Sequence, residues 1–186
     1  WGANDGGQLG QNNKTKYSSP RQVPGTDWRS LGAGYASTFA TKTSGQLWAW
    51  GSNWGGVLGQ NDTTSCSSPK NIPGKTDGTL WAWGQNYGLG VLGQNVGGPS
   101  TTGSLSSPTQ IGTGTDWDNA VSAARFSCAA LKTDGTLWSW GANYYGMLGH
   151  NSQQKLSSPT QIPGKWSKVS LTAGAASGYW GLKIYS

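Results

Sequence analysis

The sequence predicts an all-β chain arranged as a radial array of small four-stranded sheets, a β-propeller, and three observations carry that expectation. First, Trp-Gly-x-Asn followed by Leu-Gly recurs four times. The copies are Trp1-Gly2-Ala3-Asn4 with Leu9-Gly10, Trp50-Gly51-Ser52-Asn53 with Leu58-Gly59, Trp83-Gly84-Gln85-Asn86 with Leu92-Gly93, and Trp140-Gly141-Ala142-Asn143 with Leu148-Gly149. Self-similarity at a period of about fifty residues marks a fold in which one small module is stacked repeatedly. Second, the intervening segments are rich in aromatics and bounded by Gly, Pro and Asp-Gly, the composition of short strands and tight turns. Third, no segment sustains a helical period.

Each element can be justified in order. Leu47-Trp48-Ala49-Trp50, Leu80-Trp81-Ala82-Trp83 and Leu137-Trp138-Ser139-Trp140 read as strands, each preceded by a turn at Ser44-Gly45, Asp77-Gly78 or Asp134-Gly135. Hairpin turns need positive φ, which Gly supplies without steric cost. After Leu-Gly come Gln11-Asn12, Gln60-Asn61 and Gln94-Asn95, with His150-Asn151 in the fourth copy. A variable stretch then leads to Ser-Ser-Pro at Ser18-Ser19-Pro20, Ser67-Ser68-Pro69, Ser106-Ser107-Pro108 and Ser157-Ser158-Pro159. Proline there, and again at Pro24, Pro73 and Pro163, predicts strand starts or edges, where a missing N–H is tolerated. A Trp finally opens a small-residue strand: Trp28 before Leu31-Gly32-Ala33-Gly34, Trp117 before Val121-Ser122-Ala123-Ala124, and Trp166 before Val169 to Gly174. The second Trp of each Leu-Trp-x-Trp strand (Trp50, Trp83, Trp140) is expected to be buried between blades.

The Leu-Trp-x-Trp-Gly-x-Asn element, the Leu-Gly pair, the Pro-containing connector and the small-residue strand together resemble the repeats of the regulator of chromosome condensation family. The resemblance covers essentially the whole chain. It implies a β-propeller, usually seven-bladed in that family, with four antiparallel strands per blade. The Leu-Trp-Ser-Trp and Ser-Ser-Pro flavour looks more like bacterial and bacteriophage members than eukaryotic ones. One departure stands out: members commonly carry a His in the Ala-Gly-x-x-His strand, whereas here it reads Gly34-Tyr35-Ala36-Ser37, Ala124-Arg125-Phe126-Ser127 and Gly174-Ala175-Ala176-Ser177.

The chain thus reads as a single β-propeller repeat region over residues 1–186, with repeats starting near Trp1, Trp50, Trp83 and Trp140. Trp1 to Trp50 spans 49 positions but Trp50 to Trp83 only 33, a shortfall of 16. It falls between Gly74 and Lys75, where the whole Trp-to-Ala-Leu segment is missing. A blade short of two strands would expose unpaired edges, which proteins avoid, so about this many residues of the full protein are expected to be absent from the chain. Four repeats are also fewer than seven, which predicts part of a larger assembly or a longer chain.

Composition narrows the function. The net charge is +6, from 13 Lys and Arg against seven Asp, with no Glu. The basic residues are scattered singly rather than run together, which argues against nucleic acid as a partner: its electrostatic footprint should cluster. No apolar stretch is long enough to span a membrane. Cys66 and Cys128 make neither a disulfide framework nor a metal set. Cys128 is expected as a buried thiol, and Cys66 as an exposed one in a variable loop.

No catalytic set is evident, and neither a metal nor a cofactor is expected. General acid–base chemistry needs a group poised near neutrality, most often His or a tuned carboxylate. The one histidine, His150, stands where other repeats carry Gln and reads as a repeat variant. Asp77 and Asp134 are turn residues, and Asp27 and Asp116 share a Thr-Asp-Trp position that reads as structural. Gly88-Leu89-Gly90-Val91-Leu92-Gly93 spells a dinucleotide fingerprint, but without the following helix that makes a phosphate site.

What varies between repeats points to binding. The loops after Leu-Gly differ freely, and the residue after the recurring Asn is Asp5, Trp54, Tyr87 or Tyr144, with Tyr145 beside the last. Equivalent positions in a propeller point the same way, so Trp54, Tyr87, Tyr144 and Tyr145 are the candidate binding residues of one rim, aromatics that could anchor a protein or stack on sugar rings. The leading reading is a non-enzymatic recognition or structural module binding protein or carbohydrate on a bacterial surface or phage particle (adhesin, tail or decoration). Its location would then be extracellular, cell-surface or virion, with the cytoplasm as the alternative. The competing function is a regulator of a small GTPase or of chromatin, as the family's founding member is. A third class, ultraviolet sensing through clustered Trp, lacks the Gly-Trp-Arg-His-Thr motif of the plant relative.

Overall fold

The computed structural model describes residues 1–74, 77–95, 103–123, 126–167 and 169. The chain divides into two compact units, Trp1–Thr76 with Ser104–Thr109, and Asp77–Gly103 with Gln110–Ser186. Each contains one four-stranded antiparallel sheet in sequential order. In the first unit these strands are β1 (Trp28–Ala33), β2 (Ser37–Lys42), β3 (Leu47–Gly51) and β4 (Cys66–Ile72). Two short strands follow in sequence, β5 (Trp81–Gly84) and β6 (Leu105–Gln110). The second unit's sheet then comprises β7 (Trp117–Ala123), β8 (Ser127–Lys132), β9 (Leu137–Gly141) and β10 (Leu156–Ile162). Among the described residues the only helical element is a 3-10 turn at Trp54–Gly56.

The two sheets are built alike because the same residues occupy the same register. Ala40 pairs with Trp48, and Ala130 with Trp138, so a small side chain lies opposite each outer indole. The hairpin turns close as expected: Gly45 N–H donates to Lys42 O and Gly135 N–H to Lys132 O, both at 2.9 Å. The Ser-Ser-Pro prolines fall on edge strands, one of the two places expected. Pro69 and Pro159 lie inside β4 and β10 rather than at their starts. They are tolerated because both are edge strands and because the pairing bulges there: Ala49 pairs with Lys70 and Gly51 with Cys66, leaving Ser67 to Pro69 unpaired on that side. A missing N–H then costs no ladder bond.

Trp50 and Trp140 are buried, and each indole donates a hydrogen bond to a backbone carbonyl: Trp50 Nε1 to Gln8 O at 2.8 Å, and Trp140 Nε1 to Val91 O at 3.0 Å. Around Trp140 lie Leu80, Ile111 and Ala130, with Trp117 and Cys128 packed against them. Trp83 departs from the expectation and is only half-buried. Trp50 is covered by Trp28 of β1, ring centroids 5.7 Å apart, and β7 supplies Trp117 near Trp140. Between β4 and β5 the chain has only eight residues, and no strands of the β1 and β2 kind occur there among those described. Lys75 and Thr76, at the short junction itself, lie outside the described residues.

The remaining motif residues form a joint between successive repeats. A Cβ on Gly7 would sit 2.6 Å from Ser67 Cα, on Gly56 2.5 Å from Ser106 Cα, and on Gly90 2.5 Å from Ser157 Cα. Only Gly permits that approach, and all three have positive φ. Beside each, the Asn of Gln-Asn adopts a left-handed conformation and donates its N–H to the same serine: Asn12 to Ser67 O, Asn61 to Ser106 O and Asn95 to Ser157 O, each at 2.8 Å. The Gly turn, Gln-Asn and Ser-Ser-Pro recur because they are two halves of one contact.

Candidate functional site

The recurring Asn builds each variable loop from inside. Asn143 is buried; its Nδ2 donates to Ser152 O at 2.7 Å and Gln154 O at 3.0 Å, while its Oδ1 accepts from Leu148 N at 2.9 Å. Asn4 repeats the pattern with Asn13 O, Thr15 O and Leu9 N, and Asn53 with Asp62 and Leu58 N. One amide thus ties both limbs of a loop whose residues otherwise differ. These asparagines are consumed by the fold and have no surface to offer a ligand.

The residue after each Asn turns outward. Trp54 is 70% exposed at the start of the 3-10 turn, Tyr144 is 56% and Tyr145 76% exposed. Tyr87 differs: it is 39% exposed, has φ 47°, and packs edge-on against Phe126 with centroids 5.6 Å apart. Its ring is partly used in packing, so Trp54, Tyr144 and Tyr145 are the more exposed of the four candidate residues. Trp54 belongs to the first compact unit and the tyrosines to the second. Sequence reasoning missed Tyr35, fully exposed in the turn between β1 and β2, and Leu31, exposed on β1. Leu31 reads as core until β1 is placed at a sheet edge.

The remaining polar clusters are structural. Lys42 lies over both Trp28 and Trp48, 5.2 and 4.8 Å from the ring centroids, and pairs with Asp27 at 3.2 Å. Lys132 repeats this over Trp117 and Trp138 with Asp116 at 3.1 Å. Both Thr-Asp-Trp aspartates are therefore charge partners of a sandwiched lysine. A shallow cavity of about 410 Å³ opens beside Lys132, Trp117 and Trp138, but the ammonium lining it is already engaged. Asp134 accepts from Thr136 N and Oγ1, and those bonds hold its carboxyl below the usual range.

His150 substitutes for a structural glutamine. Gln60 Nε2 ties its loop to Leu58 O and Asn71 O; His150 instead places Nε2 2.9 Å from Ser139 Oγ. Ser139 gives its own proton to Leu148 O at 2.8 Å, so His150 Nε2 is the donor. Burial lowers its pKa. Ser139 is fully buried, which leaves this pair no route to a substrate. Cys128 has its sulfur turned inward onto Val91 O at 3.4 Å, although the residue as a whole is only half-buried, and burial pushes the thiol up to about 12. Cys66 corrects the expectation of an exposed loop thiol: it is the first residue of β4 and half-buried, and burial raises its pKa too. No group of three or more His, Cys, Asp or Glu able to hold a metal occurs among the described residues, and no helix among them is long and apolar enough to cross a membrane.

Repeated four-stranded sheets joined through Gly turns and carrying variable loops define a repeat β-propeller. The chain belongs to the family described as the regulator of chromosome condensation (RCC1) repeat, which matches residues 1–41, 44–76 and 134–178, with a second description of the same repeat matching 120–146. Among curated relatives, zebrafish (Danio rerio) protein RCC2 homolog is 38% identical over 87 residues, covering 44% of this chain and 15% of that protein. Human protein RCC2 is 37% identical over 86 residues, with the same 44% and 15% coverage. The chain therefore spans a small part of the length of these relatives. Among solved structures, Prp20p from Saccharomyces cerevisiae, described with its binding to Gsp1p and histones, superimposes with a TM-score of 0.68 at 19% identity, covering 88% of this chain and 45% of that one. Human WBSCR16 gives 0.67 at 19% identity, covering 86% and 46%.

These relatives correct one expectation. An extracellular, cell-surface or virion location is overturned by the matches to protein RCC2 and to a yeast protein described by its binding to Gsp1p and histones. The adhesin, phage-particle and carbohydrate readings find no support among them.

Proposed function

We propose that this chain acts by binding protein, as a regulator of a small GTPase, with its aromatic-tipped loops as the contact elements. The observation that carries the reading is the loop design: a buried Asn fixes both limbs, and the next residue is an exposed aromatic at Trp54 and Tyr144. Rigid, exposed aromatics on a pre-organised loop lose little entropy on binding and bury much area. Prp20p, of the same fold, is described as binding both Gsp1p and histones. The charge of this chain, +6 with no Glu, favours a partner with an acidic face over basic histones, because like charges raise the cost of encounter.

The test measures binding of a Gsp1p-type GTPase, with nucleotide exchange followed in parallel and histones as comparator. Wild type is compared with single Trp54→Ala, Tyr144→Ala and Tyr145→Ala variants whose folding is checked separately. Saturable GTPase binding weakened at least tenfold by one of these variants supports the proposal. No binding, or binding indifferent to all three, overturns it.

A further inference from the structure

We infer that the cavity beside Trp117 and Trp138 binds a proline-containing segment of a partner protein, a Val-Pro-Gly-type stretch that fills the place of a proline this repeat lacks. Two other repeats bring a Pro-Gly pair up to the equivalent Trp: Pro24-Gly25 ahead of Trp28, and Pro163-Gly164 ahead of Trp166. In the first of these Trp28 Nε1 donates to Pro24 O at 3.1 Å. A Cβ on Gly25 or Gly164 would lie 3.1 or 3.2 Å from the indole nitrogen. Ahead of Trp117 the chain reads Ile111-Gly112-Thr113-Gly114, one residue longer and without proline. This segment stands further off: a Cβ on Gly112 would meet nothing within 4 Å, and one on Gly114 would be 3.5 Å from Trp117 Nε1. Trp117 Nε1 has no hydrogen-bond partner among the described residues. Trp117, Trp138, Ile111, Gly112, Gly114 and Pro159 instead line an open cavity of about 410 Å³, a volume typical of sites that hold a ligand.

The chemistry of the wall selects the occupant. Lys132 also lines the cavity, but Asp116 holds its ammonium at 3.1 Å, so the pair offers no net charge. A charged ligand would be desolvated there without a free counter-charge, and charge complementarity therefore favours a neutral one. The indole N–H of Trp117 only donates, so the occupant must bring an acceptor. The two indoles meet at 71° with centroids 6.0 Å apart and, with Ile111 and Pro159, give the site apolar walls. Proline satisfies all three demands: it is uncharged and apolar, its carbonyl accepts, and it has no N–H to be left unpaired. It is also the residue whose carbonyl the chain itself places on Trp28. Aromatic-lined grooves capture such segments because a proline-containing backbone is already shaped and loses little entropy on binding. Neither Trp54, Tyr144 nor Tyr145 lines the cavity, so this site is additional to the GTPase contact and does not rest on it.

The probe is the synthetic peptide of residues 22–26, Gln-Val-Pro-Gly-Thr, blocked at both ends so that it carries no charge. It is titrated into the nitrogen-15-labelled chain while the indole N–H signals are followed by NMR. Saturable binding that moves the Trp117 signal is expected, and the Pro24→Ala form of the peptide should bind clearly more weakly. Trp117→Phe keeps an aromatic ring but removes the donor, and should weaken binding about fivefold, the worth of one hydrogen bond. Gly112→Pro with Thr113 deleted re-creates the Ile162-Pro163-Gly164 sequence of the fourth repeat; it should fill the site from within and abolish binding with circular dichroism unchanged. Tyr144→Ala should bind the peptide as wild type does, whatever its effect on the GTPase. No saturable binding at millimolar peptide overturns the proposal. So does equal binding of the Pro24→Ala peptide, a comparison made on the wild-type chain that needs no variant to fold, or undiminished binding by the proline-restored variant.

Discussion

Replacing Asn143 with Ala tests whether one buried amide holds a whole variable loop. The change removes two donated bonds, to Ser152 O and Gln154 O, and one accepted bond from Leu148 N. The Leu148 N–H lies in a buried setting and loses its acceptor outright. A buried unsatisfied group costs about 1–3 kcal/mol, and the two part-buried carbonyls, which water can reach, about 0.5–1 kcal/mol each. The expected loss is about 3 kcal/mol in urea unfolding, with increased hydrogen exchange across 144–154. Asn143→Asp is the sharper control. It keeps the acceptor for Leu148 but places a carboxylate against two carbonyl oxygens, so near neutrality it should be at least as destabilising as Ala. Acidification protonates it and restores one donor, so the deficit should shrink. An Ala variant within about 1 kcal/mol of wild type, or an Asp variant equal to wild type at neutral pH, would refute the reasoning.

Two further outcomes are expected. Trp140→Ala should cost about 3–5 kcal/mol as a buried large aromatic, and Trp83→Ala clearly less because its indole is half-exposed; equal losses in denaturant unfolding would contradict the packing described. His150 has a folded pKa below its unfolded value, so the unfolded chain binds the proton more readily and stability falls with acidification. That contribution is fully present above the unfolded pKa of about 6.5 and is lost as pH falls through the lower folded one. His150→Gln, the residue of the other repeats, should flatten the pH dependence of the unfolding midpoint in that window; an unchanged slope would place its origin elsewhere.

The repeat made much of this chain legible without a structure. Four copies of Trp-Gly-x-Asn and Leu-Gly announced the module, the Leu-Trp-x-Trp strands and the turns at Ser44-Gly45 and Asp134-Gly135 fell where expected, and His150 was recognisable as a variant of a recurring Gln. These readings succeed because local sequence is under the same steric demand in every copy: positive φ at a turn, an indole on a strand, a short side chain where two backbones meet. Other features required tertiary structure. That Trp83 is half-buried while Trp140 is fully buried goes with strands found ahead of β3 (β1 and β2) and of β9 (β7 and β8) but, among the described residues, not between β4 and β5. That Pro69 sits within β4 depends on a bulge against β3, and the place of Cys66 on where that strand begins. The recurring Asn could be read only as a turn residue until its three partners, up to eleven positions away, were seen to close each loop. Exposure of Trp54, Tyr144 and Tyr145 is likewise a tertiary fact, because an aromatic after a buried Asn is free or covered according to what packs beside it, as Phe126 packs against Tyr87. The sequence determined the module and its repetition; the tertiary structure decided which aromatic of each copy is buried and which is exposed, because that depends on the strands and side chains that pack beside it.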